Sequence, residues 1–238
     1  MNVAVVFAGG VGSRMGARAL PKQFLEVNGK PIIVHTLEHF ESHPDIDGIA
    51  VAILPKYRTH LTRLLNRFEI TKVRWIVDGG ATGQSSRHEA LRAVAADCPD
   101  DTAVLIHDGV RPLITAALIS QNIDSVERNG SGVTCTKFNE TVVWSEGEQL
   151  DRVIPREFIY AAQAPQSFRL GEILGLYDRA VIDGITDSVD SCTLMHHYQR
   201  PVFRVDGPRS NMKITTAEDF YLCRTLFEII ENQQIVGL

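Results

Sequence analysis

The stretch Ala8-Gly9-Gly10-Val11-Gly12-Ser13-Arg14-Met15-Gly16, with Pro21-Lys22-Gln23 just beyond it, combines an open backbone with two cations a few residues apart. Glycines let successive backbone N–H groups converge on anionic oxygens. Arginine forks two oxygens of one phosphate, and lysine presents a compact point charge. Arg14 and Lys22 therefore suit a triphosphate and the charge that develops as it is cleaved. Taken alone, the pair reads better as ordinary solvated cations on a turn. Two common phosphate motifs do not match. The G-x-x-x-x-G-K-[ST] pattern is missing, and Gly10-x-Gly12-x-x-x-Gly16 is one residue longer than the dinucleotide G-x-G-x-x-G.

The loop follows an apolar run, Val3 to Phe7, that reads as a parallel strand covered on both faces. Similar runs recur at Gly48–Leu54, Val73–Val77 and Ala103–His107. Helical spacing lies between them, at Ile33, Leu37 and Phe40, at Leu61, Leu64, Leu65 and Phe68, and at Ala90, Leu91, Val94 and Ala95. This alternation predicts an α/β, Rossmann-like fold: a mostly parallel twisted sheet flanked by helices. The glycine loop then sits at the carboxyl edge of the sheet, where open α/β folds bind ligands. After about residue 130 the period is lost. The segment from Gly132 to Phe168 predicts antiparallel hairpin structure, with a protruding β-arm at about 137–160 inserted in a single domain spanning 1–238. Such an edge needs a partner, so a homodimer joined through the arm is expected. Helices resume at Leu170–Ala180, Asp187–Met195 and Ala217–Ile230, the last behind a Thr216 cap.

Composition narrows the classes. Apolar residues make up 44% and charged residues 22%, enough for a sizeable core, and the formal net charge is −5. A non-specific nucleic-acid binder is usually basic, so none is expected as a partner. Four scattered cysteines make neither a zinc pattern nor a disulfide framework. The first apolar run is too short for a membrane span and carries no basic leader, so a cytoplasmic protein without membrane partners is expected.

Six blocks now stand in order: "AGGVGSRMG…LPKQF", "DGG" at 78–80, "HDGVRP" at 107–112, "QAPQSF" at 163–168, "TDSVDSC" at 186–192 and "NMKITTAEDF" at 211–220. Together they resemble the CTP-dependent cytidylyltransferases that make CDP-alditols, a family with methylerythritol-phosphate and ribitol-phosphate branches. The resemblance implies CMP transfer from CTP to a polyol phosphate, with Mg2+ as cofactor and pyrophosphate as the second product. It implies that Ala8, Gly9, Gly10 and Gly12 cradle CTP, and that Gly80 and Ser86 contact its cytosine and ribose. Arg14, Lys22 and Lys213 become the catalytic cations. Asp108 becomes the acid near metal and substrate, with Arg111 beside it. Thr141 and Arg156 on the arm reach the neighbouring subunit's acceptor phosphate, and Thr186 and Asp187 flank the polyol.

Some positions depart from the methylerythritol pattern. The uncharged run Ala81-Thr82-Gly83-Gln84 stands where the methylerythritol enzymes, and often the ribitol ones, carry acid and Arg, so cytosine selectivity is expected to rest more on backbone groups and on Ser86. Against the methylerythritol pattern, Ser188 stands for Glu and Ser210 for Asp. These lean towards the ribitol-phosphate branch, with ribitol 5-phosphate as the expected acceptor. Methylerythritol phosphate, another polyol phosphate, UTP in place of CTP and a catalytically silent scaffold stand as alternatives. Three histidines four residues apart, His35, His39 and His43, have metal-binding spacing, but Pro44 ends the helix near His43, so they are expected at the surface.

Overall fold

The computed structural model describes residues 1–9 and 21–236, and for residues 233–236 the backbone alone. In chain order the elements are β1 (Asn2–Phe7), β2 (Glu26–Val27), β3 (Lys30–Pro31), α1 (Ile32–Glu41), β4 (Gly48–Ile53) and α2 (Arg58–Arg67). Next come β5 (Val73–Asp78), α3 (Gly83–Ala95), β6 (Ala103–Asp108), α4 (Ala116–Asn129) and β7 (Ser131–Lys137). The chain continues through β8 (Val142–Trp144), β9 (Arg152–Ile154), β10 (Tyr160–Arg169), α5 (Leu170–Ile182), α6 (Ser191–His197), β11 (Arg204–Asp206) and α7 (Ala217–Val236).

Seven strands form one sheet in the order β11-β7-β10-β6-β1-β4-β5. Pairing is parallel throughout except for β10, which runs antiparallel to both β6 and β7. β4 and β6 are buried along their whole length, as continuous apolar runs require. The period of two divides the core. Ala4, Val6, Ile49, Val51 and Ile53 pack on one face with α1, α2 and α4. Val3, Val5, Ala50 and Ala52 pack on the other with α3, α5 and α6. Among the described residues, no helix is long and apolar enough to cross a membrane.

The mostly parallel sheet and the antiparallel hairpin match the expectation, but four details differ. First, α4 is an additional helix, capped by Thr115, whose side chain accepts from Leu118 N, and closed by Gly130 at φ 82°. Second, residues 131–137 and 160–169 belong to the main sheet. Only β8 and β9, between them, make the separate two-stranded hairpin. Third, α6 begins at Ser191, because Asp190, not Asp187, accepts from Thr193 N and caps it. Fourth, the three histidines are not surface residues. His35 Nε2 meets Val27 O at 2.9 Å, His39 Nε2 meets Pro112 O at 3.1 Å, and buried His43 meets Ala116 O at 3.2 Å and Ser120 Oγ at 3.0 Å. His35 and His39 lay a seam along α1 that joins it to β2 and to the loop after β6, and His43, two residues past the helix, carries it on to α4.

The reversed strand is secured by one buried amide. Asn122 on α4 donates to Leu118 O and Thr134 Oγ1, both at 3.0 Å, and accepts from Ser167 Oγ at 3.0 Å. Asn122, Thr134 and Ser167 are fully buried. Asn122→Ala leaves two hydroxyls without partners in a dry interior. We expect a loss of about 2–4 kcal/mol in chemical denaturation; a change under about 0.5 kcal/mol would mean that water replaces the amide.

Candidate active site

The carboxyl ends of β1, β5 and β6 open onto three adjoining clefts, and Phe7, the last residue of β1, lines all three. The first cleft is walled by Gly9, Gly80, Ala81, Thr82, Gly83 and Ser86. It lies at the N-terminus of α3, where unpaired N–H groups and the helix dipole favour negative charge. Thr82 Oγ1 accepts from Ser85 N, and Ser85 Oγ accepts from Thr82 N, so the helix start is fixed by a reciprocal cap. A Cβ on Gly80 would overlap the Ser85 side chain. Ser86 Oγ would stand 3.3 Å from a Cβ at Gly9 and at Gly79. The backbone approaches this cleft closely because there are no side chains to fill it.

The second cleft, a cavity of about 190 Å³, centres on Asp108 at the end of β6. Asp108 Oδ2 accepts from Arg111 Nε at 2.7 Å, and Oδ1 from Lys213 Nζ at 2.6 Å. Arg111 Nη1 also donates to Asn211 O at 2.9 Å, and Asn211 Nδ2 donates to Ala164 O at 2.7 Å. Burial alone would push the Asp108 carboxyl up. The charges and hydrogen bonds of Lys213 and Arg111 outweigh it and hold it at about 2. One carboxylate between two cations leaves the cluster with a surplus positive charge. Its neighbour His107 is fully buried behind the site against Phe40, with Nε2 3.2 Å from Arg111 O. Burial lowers its pKa to about 3, so it is a neutral imidazole.

The third cleft brings Lys22 to the same acid, through Phe7, Ala8, Lys22, Gln23, Asp108, Val110 and Lys213. Gln23 Nε2 donates to Ala8 O at 2.6 Å and pins the turn at Lys22–Phe24 to the end of β1. Lys22 Nζ donates to Thr215 O at 3.1 Å.

Of the residues singled out by sequence, Ala8, Gly9, Lys22, Gly80, Ser86, Asp108, Arg111 and Lys213 thus line this one edge. Gly10, Gly12 and Arg14 lie outside the described residues. Thr141 and Arg156 sit on the 138–159 segment, where Arg156 Nη1 donates to Asn139 O at 3.1 Å, and neither lines the three clefts. Thr186 and Asp187 are exposed beside the central cavity, whose wall is made instead by the next residues, Val189 and Asp190. Arg87, Gln163, Gln166 and Asp190 were not anticipated. The signal for Arg87 was its place at i with Ala90, Leu91 and Val94 at i+3, i+4 and i+7, a cation on the buried face of a helix. Gln163 lies where β10 slips register between Ala162 and Gln166, an irregularity that re-aims side chains and leaves no period to read.

A family model described as "IspD: 2-C-methyl-D-erythritol 4-phosphate cytidylyltransferase" matches residues 2–228. The chain is 46% identical, over the full length of both, to a "Ribitol-5-phosphate cytidylyltransferase" of Streptococcus agalactiae serotype Ia. It is 42% identical, again over both full lengths, to one of the same name from Vibrio parahaemolyticus. Among solved structures, a 4-diphosphocytidyl-2C-methyl-D-erythritol synthase from Anaerococcus prevotii superposes with a TM-score of 0.82 at 28% identity, covering 95% of this chain and 96% of that one.

The buried imidazole gives the site a pH signature. His107, facing Asp108, Arg111 and His39, binds its proton below about pH 3 when folded and near 6.5 when unfolded. Between those values the unfolded chain holds the extra proton, so folding stability falls as pH drops below about 6.5. The slope from this group is about 1.4 kcal/mol per pH unit. Asp108 adds its own loss only below about pH 4, between its unfolded and folded values. Chemical denaturation of His107→Asn without ligand or metal should show a slope between pH 6 and 4.5 reduced by that amount. An unchanged slope would contradict burial of a neutral ring.

Proposed function

The chain belongs to the IspD family of cytidylyltransferases, and on that premise we propose that it transfers CMP from CTP to D-ribitol 5-phosphate, giving CDP-ribitol and pyrophosphate. The observation that carries the acceptor is full-length 46% identity with a relative named for ribitol 5-phosphate. The family model's own description favours methylerythritol phosphate as the second reading. Ser188 and Ser210, where that branch has acids, weigh against it.

In this reading the cytosine and ribose lie in the cleft of Gly9, Gly80 and Ser86. The triphosphate runs past Phe7 towards Lys22, with Gly10 and Gly12 expected from the sequence to offer backbone N–H groups and Arg14 a second cation; Ala8 N is committed to Ala52 O at 2.8 Å, so Ala8 contributes a close backbone approach and no donor. The acceptor enters the cavity at Asp108. An oxygen of its phosphate attacks the α-phosphorus; the new P–O bond forms as the bond to the bridging oxygen breaks, and pyrophosphate leaves with that electron pair. The nucleophile is already anionic, so no strong base is needed. The barrier is repulsion between anions, and positioned cations lower it most. Lys22 and Lys213 border one cleft, which suits them to the leaving group and the attacking phosphate respectively. Asp108 fixes Arg111 and Lys213 and accepts from polyol hydroxyls.

The residues fit Mg2+ as the cofactor. Asp108 stays ionised, and each of its oxygens keeps a lone pair beyond its one described donor. Among the described residues no cluster of three or more His, Cys, Asp or Glu forms an all-protein cage. A lone carboxylate completed by substrate phosphates is how Mg2+ is commonly held. When bound, the ion supplies charge neutralisation at the phosphates. The free cysteines fit a reducing cytoplasm, where CTP is made; recovery in the soluble fraction after cell lysis is the check.

The arm supports a dimer. Trp144, Val153 and Phe158 on or beside its strands are 47%, 68% and 76% exposed, and Thr141 and Arg156 are carried there away from their own clefts. A partner subunit would cover the apolar residues and receive the polar ones. The solution mass should be that of two chains; an active, strictly monomeric protein would remove this role.

The acceptor is tested by pyrophosphate release with CTP, Mg2+ and a panel of polyol phosphates. Ribitol 5-phosphate should give the highest kcat/KM, and UTP should not replace CTP. Lys22→Ala and Lys213→Ala should each lower turnover about a hundredfold or more in the same assay. Preference for methylerythritol phosphate would move the enzyme to the other branch.

A further inference from the structure

Among the described residues, Arg87 is a buried cation with no acid beside it. Its side chain is only 3% exposed. Nε donates to Tyr177 Oη at 2.8 Å and Nη2 to Ser188 O at 2.8 Å. The guanidinium lies over the Phe7 ring, 5.3 Å from its centre. Nη1 donates to no described protein atom, and Arg87 lines the central cavity. A buried cation with an unused donor on a cavity is costly unless a ligand completes it.

The other wall of that cavity is just as fixed. Asp190 Oδ1 accepts from Thr193 N and Oγ1, both at 2.7 Å, and Oδ2 accepts from Gln166 Nε2 at 2.9 Å. Gln166 Oε1 in turn accepts from Cys192 N at 2.9 Å. The carboxylate is held by the cap of α6, with lone pairs to spare. The ionised groups lining the cavity are Arg87, Arg111 and Lys213 against Asp108 and Asp190, a net charge that suits an anionic ligand bearing hydroxyls. Asp108, Arg111 and Lys213 are joined to one another; Arg87 and Asp190 are not joined to that cluster.

Resting on the acceptor reading above, we propose that Arg87 is an acceptor-binding residue that, together with Asp190, engages the polyol hydroxyls beyond the phosphate-bearing carbon and so selects acceptor length. Arg87 supplies donors, Asp190 supplies acceptors, and the phosphate end stays with Lys213. Gln84 serves as the contrast. It holds the same loop, donating to Ile185 O and accepting from Ser188 N, both at 2.6 Å, but it does not line the cavity.

The test uses the full-length enzyme with CTP and Mg2+. It reads the KM for D-ribitol 5-phosphate beside the Ki of glycerol 3-phosphate, a three-carbon competitor with the same terminal phosphate. Arg87→Gln should raise the ribitol 5-phosphate KM about tenfold or more, and shift the glycerol 3-phosphate Ki and the CTP KM less than about twofold. Arg87→Lys, which keeps the charge without the fork, should fall between. Gln84→Ala should weaken both polyol phosphates in parallel. If both Arg87 variants weaken the two polyol phosphates equally, or raise the CTP KM instead, Arg87 is only a loop support and the proposal falls. A wild-type enzyme that does not turn over ribitol 5-phosphate would overturn the acceptor reading itself, and this inference with it.

Discussion

A carboxylate held between two cations governs this molecule. Asp108 is buried, where a lone charge is expensive, and is ionised only because Arg111 and Lys213 reach it. The three come from the end of β6, from the turn after it and from a segment about a hundred residues later, so the charges can meet only when the fold is complete. Asn211 extends the tie to the irregular part of β10 through Ala164 O. Removing one member of such a cluster strands another, at a cost of about 3–5 kcal/mol, whereas an apolar replacement of the whole is often neutral or stabilising. Stability therefore does not explain why the cluster is ionic. The proposed function does, because a site for several phosphates gains from surplus positive charge poised before the ligand arrives.

The topology makes that meeting possible. Parallel β1, β5 and β6 deliver Phe7, Asp78 and Asp108 to one edge, and the loops that follow them carry the glycines. The reversed strand then supplies what a fully parallel sheet would not. In β10, Arg169 pairs with Ala103 and Gln166 with Ile106, so its earlier residues run towards the Asp108 end. Gln163 and Ala164 thus reach the cavity from the side of β6 opposite β1. Between β7 and β10 in the chain, β8 and β9 pair with each other off the main sheet, while β7 and β10 stay adjacent within it.

What could be read from the residues follows what has a period. Val3–Phe7, Gly48–Ile53 and Ala103–Asp108 are legible because strands covered on both faces leave unbroken apolar runs. α4 carried a cap at Thr115 and a stop at Gly130, yet its apolar positions alternate with buried Asn122 and Ser125, which blurred the stripe. β11 has three residues and one buried side chain, too little for any pattern. Asp187 and Asp190 are equally good caps by type, and only tertiary contacts choose the second. In the site, the conspicuous cations and glycines were legible from their blocks. Arg87 and Gln84 were not, because a polar residue on an amphipathic helix is ordinarily taken for its wet face.

The two departures from the methylerythritol pattern that looked separate are joined in space. Gln84, in the uncharged run 81–84, accepts from the backbone N–H of Ser188, where that branch has Glu. Thr82 Oγ1 donates to Thr186 O at 3.1 Å, and Arg87 to Ser188 O. The first turns of α3, whose N-terminus borders the proposed nucleotide cleft, are therefore also the clasp of the loop that leads into Asp190 and the proposed acceptor cavity. Losing charge at 81–84 is then not simply a weaker grip on the base. Neutral side chains with both donor and acceptor atoms can hold a loop backbone in a way that an Asp or Arg, each offering only one kind of atom, cannot. The same uncharged run that lines the proposed nucleotide cleft holds the loop that walls the neighbouring cavity, so under the proposed function the two sites share one helix end.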